Sequence, residues 1–198
     1  MIVDLTKPLK SSFLSVERDF QLIIEKLFAD HPQHAKMLKR LLVINEPDCL
    51  DNLDSEVYKQ AEQISVSDLI KRGYIRFNPK IRFHEHEDVK SYIIMSMDNF
   101  VPNPTNPQFR DCTVYFDVVC HTDCWDMGNF RERPLKICGY IDGLLNGSRL
   151  SGIGRFWFAG CSEVVLDENL SGYCLDFKAI HGDEDFSSDD VWLNGERK

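Results

Sequence analysis

The feature that most constrains this fold is a change of period along the chain. Phe20, Ile23, Ile24, Leu27 and Phe28 recur at i, i+3, i+4, i+7 and i+8, one face of a 3.6-residue repeat. Ser15 is placed to cap that helix, and Glu17 and Asp19 set negative charge in its first turn, where the helix dipole favours it. Asp30-His31-Pro32 interrupts the pattern, and Pro32 suits the first position of a second helix carrying Met37, Leu38, Leu41 and Leu42. From Tyr74 the period falls to two. Residues 81–87 alternate, 91–97 form an apolar run suited to a strand buried on both faces, and 113–120 place Val114, Phe116 and Val118 together. A helix returns near Arg133-Pro134, with Ile137, Ile141, Leu144 and Leu145 on one face and Asn146-Gly147 as its stop. Two strands follow, 155–166 and 172–180, joined by a hairpin loop over Asp167-Glu168-Asn169-Leu170-Ser171-Gly172.

Helices, a strand pair, a helix and a second strand pair imply an α+β fold. The expected architecture is an antiparallel or mixed sheet of four to five strands with helices packed on one face. At 198 residues the chain supports one good core, so a single domain spanning 1–198 is expected. Residues 1–14 read as an N-terminal arm, 45–72 as a peripheral insertion, and 182–198 as an acidic C-terminal tail. Three prolines and three asparagines between 99 and 107 mark an exposed loop.

A net charge of -9 argues against nucleic-acid binding as the main task, because phosphate recognition needs clustered Lys and Arg. No run approaches the roughly 20 apolar residues of a membrane span. The N-terminus lacks a signal-peptide apolar core, so a cytoplasmic site of synthesis is expected. Seven cysteines, an odd number set within apolar patterns, fit small buried thiols in a reducing compartment.

His84-x-His86 on a strand would put two imidazoles on one face, and Cys120-His121-x-x-Cys124 with His181 adds further candidate metal ligands. A wet edge strand explains the first pair equally simply, and alternation places Cys120 in the core with Phe116 and Val118. Cys49, Cys120 and Cys161 are the candidate nucleophiles, yet none sits in a nucleophile turn. Gly152-Ile153-Gly154 precedes a strand, which makes it a turn rather than a phosphate cradle. Asp111, Asp117, Asp123, Asp126, Glu163 and Asp176 are candidate carboxylates, with Glu163 and Asp176 facing each other if the hairpin register allows. No catalytic residue, cofactor or metal is assigned on this basis. Trp125, Trp157, Trp192, Phe100, Phe109, Phe130 and Phe186 place large aromatics in or beside loops, where they suit either core edges or partner anchors.

The stretch from Tyr92 to Gly182 resembles the tail-terminator (tail-completion or neck) proteins of long-tailed bacteriophages. The resemblance rests on Tyr92-Ile93-Ile94, Asp98-Asn99-Phe100, Asn106-Pro107-Gln108-Phe109-Arg110-Asp111 and Val114 to His121. It continues through Trp125, Arg133-Pro134-Leu135-Lys136-Ile137 and Ile141 to Asn146. It implies a non-enzymatic virion protein, assembled in the host cytoplasm, whose ring, a hexamer, caps the tail tube and meets the head connector. The implied partners are further copies of itself, the tail-tube protein and connector or adaptor proteins, with no membrane and no specific nucleic acid. A ring of head-to-tail contacts needs two different complementary patches per subunit. The expected interface residues are Phe100, Asn103, Pro104, Phe109 and Arg110 of the long loop, Trp125, Arg131, Arg133, and Asp167 and Glu168 of the hairpin. Arg131, Arg133 and Lys136 are expected to meet the acidic segments 45–54 or 182–190 of a neighbour. The alternatives are a metal-dependent enzyme or nuclease using His84, His86, His121 and carboxylates, and a small acidic regulatory or immunity-type binding protein.

Overall fold

A computed structural model of the chain describes residues 13, 16–29, 31–51, 54–77, 88–105 and 109–181. The two amphipathic stretches fold as α1 (Val16–Phe28) and α2 (Pro32–Val43), with Pro32 opening α2 as its fixed φ allows. Two shorter helices follow, α3 (Glu56–Gln63) and α4 (Val66–Lys71). Ser65 caps α4, its hydroxyl oxygen accepting from the Asp68 amide at 3.0 Å.

A two-residue strand β1 (Ile75–Arg76) runs parallel to β2 (Ser91–Pro102). Next come β3 (Arg110–His121) and α5 (Arg133–Leu145). A small ribbon of β4 (Arg149–Leu150) and β5 (Gly154–Arg155) leads into β6 (Trp157–Val165) and β7 (Leu170–His181). The main sheet has the order β1-β2-β3-β7-β6, antiparallel except for β1 with β2. This is the expected α+β architecture.

The helices cover one face. Ile23, Leu27, Leu38, Leu41, Leu42, Ile137, Ile141 and Leu145 pack against Ile93, Met95, Val114, Phe116, Val118, Leu175 and Phe177, all of them buried. Phe116 and Phe156 meet the Phe177 ring edge to face, at 5.9 and 6.3 Å between centroids. A small second cluster of Tyr92, Ile94, Val119 and Leu170 occupies the other face. At Gly172 a Cβ would lie 1.8 Å from the Val118 carbonyl oxygen, so the β3–β7 pairing admits no side chain there.

Several expectations change. The segment 45–72 is no rim insertion: Cys49, Tyr58, Ala61 and Leu69 are buried in the main core. Arg40 reaches this segment from α2, pairing with Glu62 and donating to the Cys49 carbonyl at 3.3 Å. Weak helical spacing concealed it because two short helices bury only one or two residues each. The loop expected from residue 99 begins later. β2 continues to Pro102 through a bulge between Asp98 and Val101, with Asn99 in the left-handed region at φ 57°. The strand expected over 155–166 is broken at Phe156, which turns into the core. The strand expected at 81–87, with His84 and His86, lies outside the described residues, as do Ser15, Trp192, the tail 182–198 and all of the arm 1–14 except Phe13.

Candidate protein interface

The candidate chemical groups are dispersed. Cys120 and Cys124 are buried, and Cys124 Sγ lies 3.8 Å from Ser91 Oγ and donates to the His121 carbonyl at 3.3 Å. His121 Nδ1 accepts from the Asp123 amide at 3.1 Å, a local turn contact. His181 is buried at the end of β7, paired with Asp19 of α1 and stacked edge-on by Phe100. Among the described residues no group of three or more His, Cys, Asp or Glu side chains is placed to hold a metal ion.

Burial pushes the thiols of Cys49, Cys120 and Cys161 up, the opposite of what an activated nucleophile needs. The β6–β7 register puts Glu163 opposite Tyr173 and Asp176 opposite Gly160, so the two acids do not face each other. The carboxylates that the sheet does bring together are Asp117 and Asp176, on either side of Cys174. Burial first, then these two acids, raise the Cys174 pKa.

The expected interface residues divide sharply. Arg133, expected to reach a neighbour, is fully buried. Its guanidinium donates to the carbonyls of Cys124 at 2.6 Å, Leu41 at 2.9 Å, Asn45 at 2.8 Å and Glu46 at 3.0 Å, and to that of Ile44. It collects the unsatisfied carbonyl end of α2 and ties it to the start of α5. Arg131 does meet the acidic segment 45–54, but within its own chain, through a two-pronged pair with Asp51.

Phe100 is half-buried between Phe13 and His181, at 5.1 and 5.5 Å between ring centroids. The Arg110 guanidinium lies 5.5 Å over Phe13. Asn103 holds its own turn, donating to Asp111 at 2.7 Å and accepting from the Thr105 amide at 3.0 Å. Pro104 is exposed, and Phe109 lines a cavity of about 670 Å³ with Leu150, Gly154 and Ile180. Trp125 is half-buried against Tyr173, 6.2 Å between centroids. Asp167 closes the β6–β7 turn by accepting from the amides of Asn169 and Leu170, and Glu168 beside it is exposed.

Three further surface features expose apolar side chains. The first is β6, which among the described residues pairs with no strand but β7, its other edge being met at the Phe158 amide by Asn146 Oδ1 at 3.2 Å. The helix layer stops short of it: Trp157, Phe158 and Val165 remain 55%, 45% and 66% exposed, with Leu166 beside them. The second is Phe130, fully exposed at the tip of a tight loop. Asn129 and Phe130 both hold left-handed backbone, φ 52° and 60°, which bulky residues rarely adopt. The third is an apolar groove of about 810 Å³ between α1 and α4, lined by Phe20, Ile24, Phe28, Val66, Ile70 and Phe77. The aromatic side chains were visible in the sequence. Their exposure was not, because alternation reads the same for a central strand and an uncovered edge.

Uncovered apolar patches of this kind mark contact sites for a protein, a membrane or a ligand. The family model of YomW matches residues 35–179, from α2 nearly to the end of β7, and the chain belongs to that family. YomW is a phage-type family, of the Bacillus prophage SPbeta kind, which points to a phage origin. No curated protein and no solved structure matches the chain. Among the described residues, no helix is long and apolar enough to cross a membrane.

Proposed function

We propose that the protein is a structural component of the phage head–tail junction, a tail terminator that acts by assembly and not by catalysis. Copies close into a ring, a hexamer, that caps the tail tube and meets the head connector in the virion, after assembly in the host cytoplasm. The observation that carries this reading is the β6 edge, a nine-residue strand that among the described residues has no partner strand on one side and that exposes Trp157, Phe158 and Val165. Such an edge is a template for pairing and is ordinarily blunted in a protein that stays alone. Phage-family membership and the resemblance of residues 92–182 to tail terminators supply the particular role.

The test is the mass in solution, by light scattering coupled to size exclusion, for the protein alone and mixed with tail-tube protein. A ring-sized particle in either sample supports the reading. A strict monomer in both, at every concentration tried, overturns it.

A further inference from the structure

We infer that Phe130 is a knob that seats in the α1–α4 groove of the next copy, so that knob and groove together form one head-to-tail contact of the assembly. The inference rests on the ring reading and names the surfaces that would make it.

The knob is built and held. Asp126 accepts from the Gly128 amide at 2.6 Å, the Met127 amide donates to the Arg131 carbonyl at 2.9 Å, and the Arg131 amide donates to the Gly128 carbonyl at 3.0 Å. The Arg131 guanidinium then fastens the loop to Asp51 and to the Gly128 and Met127 carbonyls. This clamped loop turns the Phe130 ring wholly outward, on backbone that costs energy to hold. Within its own chain that arrangement buries nothing. It removes in advance the backbone part of the ordering cost that a flexible loop would meet on binding.

The groove is its counterpart. Ile70 and Phe77 are partly exposed along its rim, and Phe20 and Phe77 present ring surface at 5.2 Å centroid separation. Its volume admits a phenyl ring with room for neighbouring loop atoms.

Charge supports the pairing. Glu17 and Glu25, the latter accepting from Gln21 at 2.7 Å, line the α1 side of the groove, and Lys71 lines its α4 side. Lys136, exposed in the first turn of α5 and close in sequence to Phe130, has no ion-pair partner among the described residues. Acidic groups near the knob are already engaged: Asp51 by Arg131, Asp126 by the Gly128 amide, and Glu132 by the Tyr173 hydroxyl at 3.3 Å. Lys136 is left to meet Glu17 or Glu25 across the contact, which would set orientation and speed of encounter. Knob and groove are different patches of one chain, so their contact is heterologous and repeats from copy to copy. Such contacts close rings or run on as filaments, unlike the self-complementary patch of a two-fold dimer.

The experiment places a photo-crosslinking phenylalanine analogue at position 130 in the full chain, and compares wild type, Phe130→Ala and Ile70→Glu by light scattering. The expected crosslink joins residue 130 of one copy to peptides of α1 or α4 of another. Both variants should weaken association at least about tenfold, the effect of removing a central anchor. Thermal unfolding of dilute Phe130→Ala should match wild type, because the side chain touches nothing within its own fold. Lys136→Glu should weaken association, and a Glu17→Lys/Glu25→Lys partner should restore it. A wild-type oligomer that persists in Phe130→Ala, or a crosslink to another surface, overturns this contact and leaves the ring reading standing. A wild type that never associates overturns both.

Discussion

Two strands of one sheet, β3 and β6, have opposite environments. β3 is hydrogen-bonded on both sides, and Val114, Phe116, Val118 and Cys120 lie under the helices with no exposure. Among the described residues β6 pairs with a strand on one side only, and its residues are exposed or at most half-buried on both faces. Both read in sequence as apolar strands. The helix layer spans β2, β3 and β7 and ends there, so burial is set by where α5 lies and not by residue type. Two arginines repeat the contrast at side-chain scale: Arg133 is sealed against five carbonyls, while Arg131, two residues earlier, makes a surface pair. Interior positions serve the fold, and the uncovered ones are available for assembly.

The contrast can be broken most forcefully at Gly172, in the covered part of the sheet. Gly172→Val forces a side chain into the Val118 carbonyl. Since overpacking that strands can relax costs about 1–3 kcal/mol, a backbone clash should exceed it and leave no folded protein, as seen by loss of soluble expression and of near-ultraviolet circular dichroism. Next comes Arg133→Met. It keeps the length of the side chain but strips buried carbonyls of their donor, and urea unfolding should show a loss of roughly 3–5 kcal/mol. A loss below about 1 kcal/mol would mean that water replaces the guanidinium, and would remove the contrast with Arg131.

The cysteines give a third test. Burial raises Cys112 and Cys138 from 9.0 to about 12. A pKa raised by folding lends stability that is complete below pH 9 and disappears as pH climbs through about 12. Unfolding free energy should therefore decline across that interval, and a Cys112→Ala/Cys138→Ala protein should decline less. At neutral pH a thiol reagent should reach Cys161 first and Cys174 next, with the other five thiols modified only on unfolding.

Fourth, Val165→Ser on the β6 edge should leave stability within about 0.5 kcal/mol, the usual range for exposed sites, whereas Phe158→Ser also removes an edge-to-face contact with Phe177 at 6.0 Å and should cost more. The same substitutions should reduce the mass measured by light scattering if β6 is an assembly surface. The smallest effect is expected at Arg131. Its guanidinium holds the Asp51 carboxyl below the usual carboxylate range, chiefly by hydrogen bonding. A lowered acid pKa lends stability above the ordinary carboxylate range and loses it as pH falls through the lowered value. Asp51→Asn should thus shift the thermal midpoint slightly at neutral pH and not at all in strong acid. An equal shift at both would mean that the pair contributes through shape rather than charge.

Much of the framework was legible because it depends on local pattern. The 3.6-residue spacing of Phe20 to Phe28 and of Ile137 to Leu145 specified α1 and α5, whose ends match closely. Pro32 marked the start of α2, and alternation about Phe116 and Phe177 marked β3 and β7. The segment 45–72 was not legible, because Cys49, Tyr58 and Leu69 reach the core singly from short helices with little periodicity of their own. Of the candidate site, Arg131 was found together with its acidic partner segment, though the pair closes within one chain. Arg133 looked like a surface charge because nothing in an Arg-Pro helix start reveals that the end of α2 lies directly behind it. Phe130 was one aromatic among many until its backbone and exposure were seen.

The sequence by itself determined which stretches become helix or strand, since backbone periodicity and capping act over a few residues. It also determined that one α+β core could form. Only the tertiary structure decided which apolar residues are covered, which arginine is interior and which carboxylates meet. Those outcomes depend on sheet order and register between segments far apart in the chain, as where α1 meets the end of β7 through Asp19 and His181, 162 residues apart. Local sequence cannot specify separations of that kind; packing does.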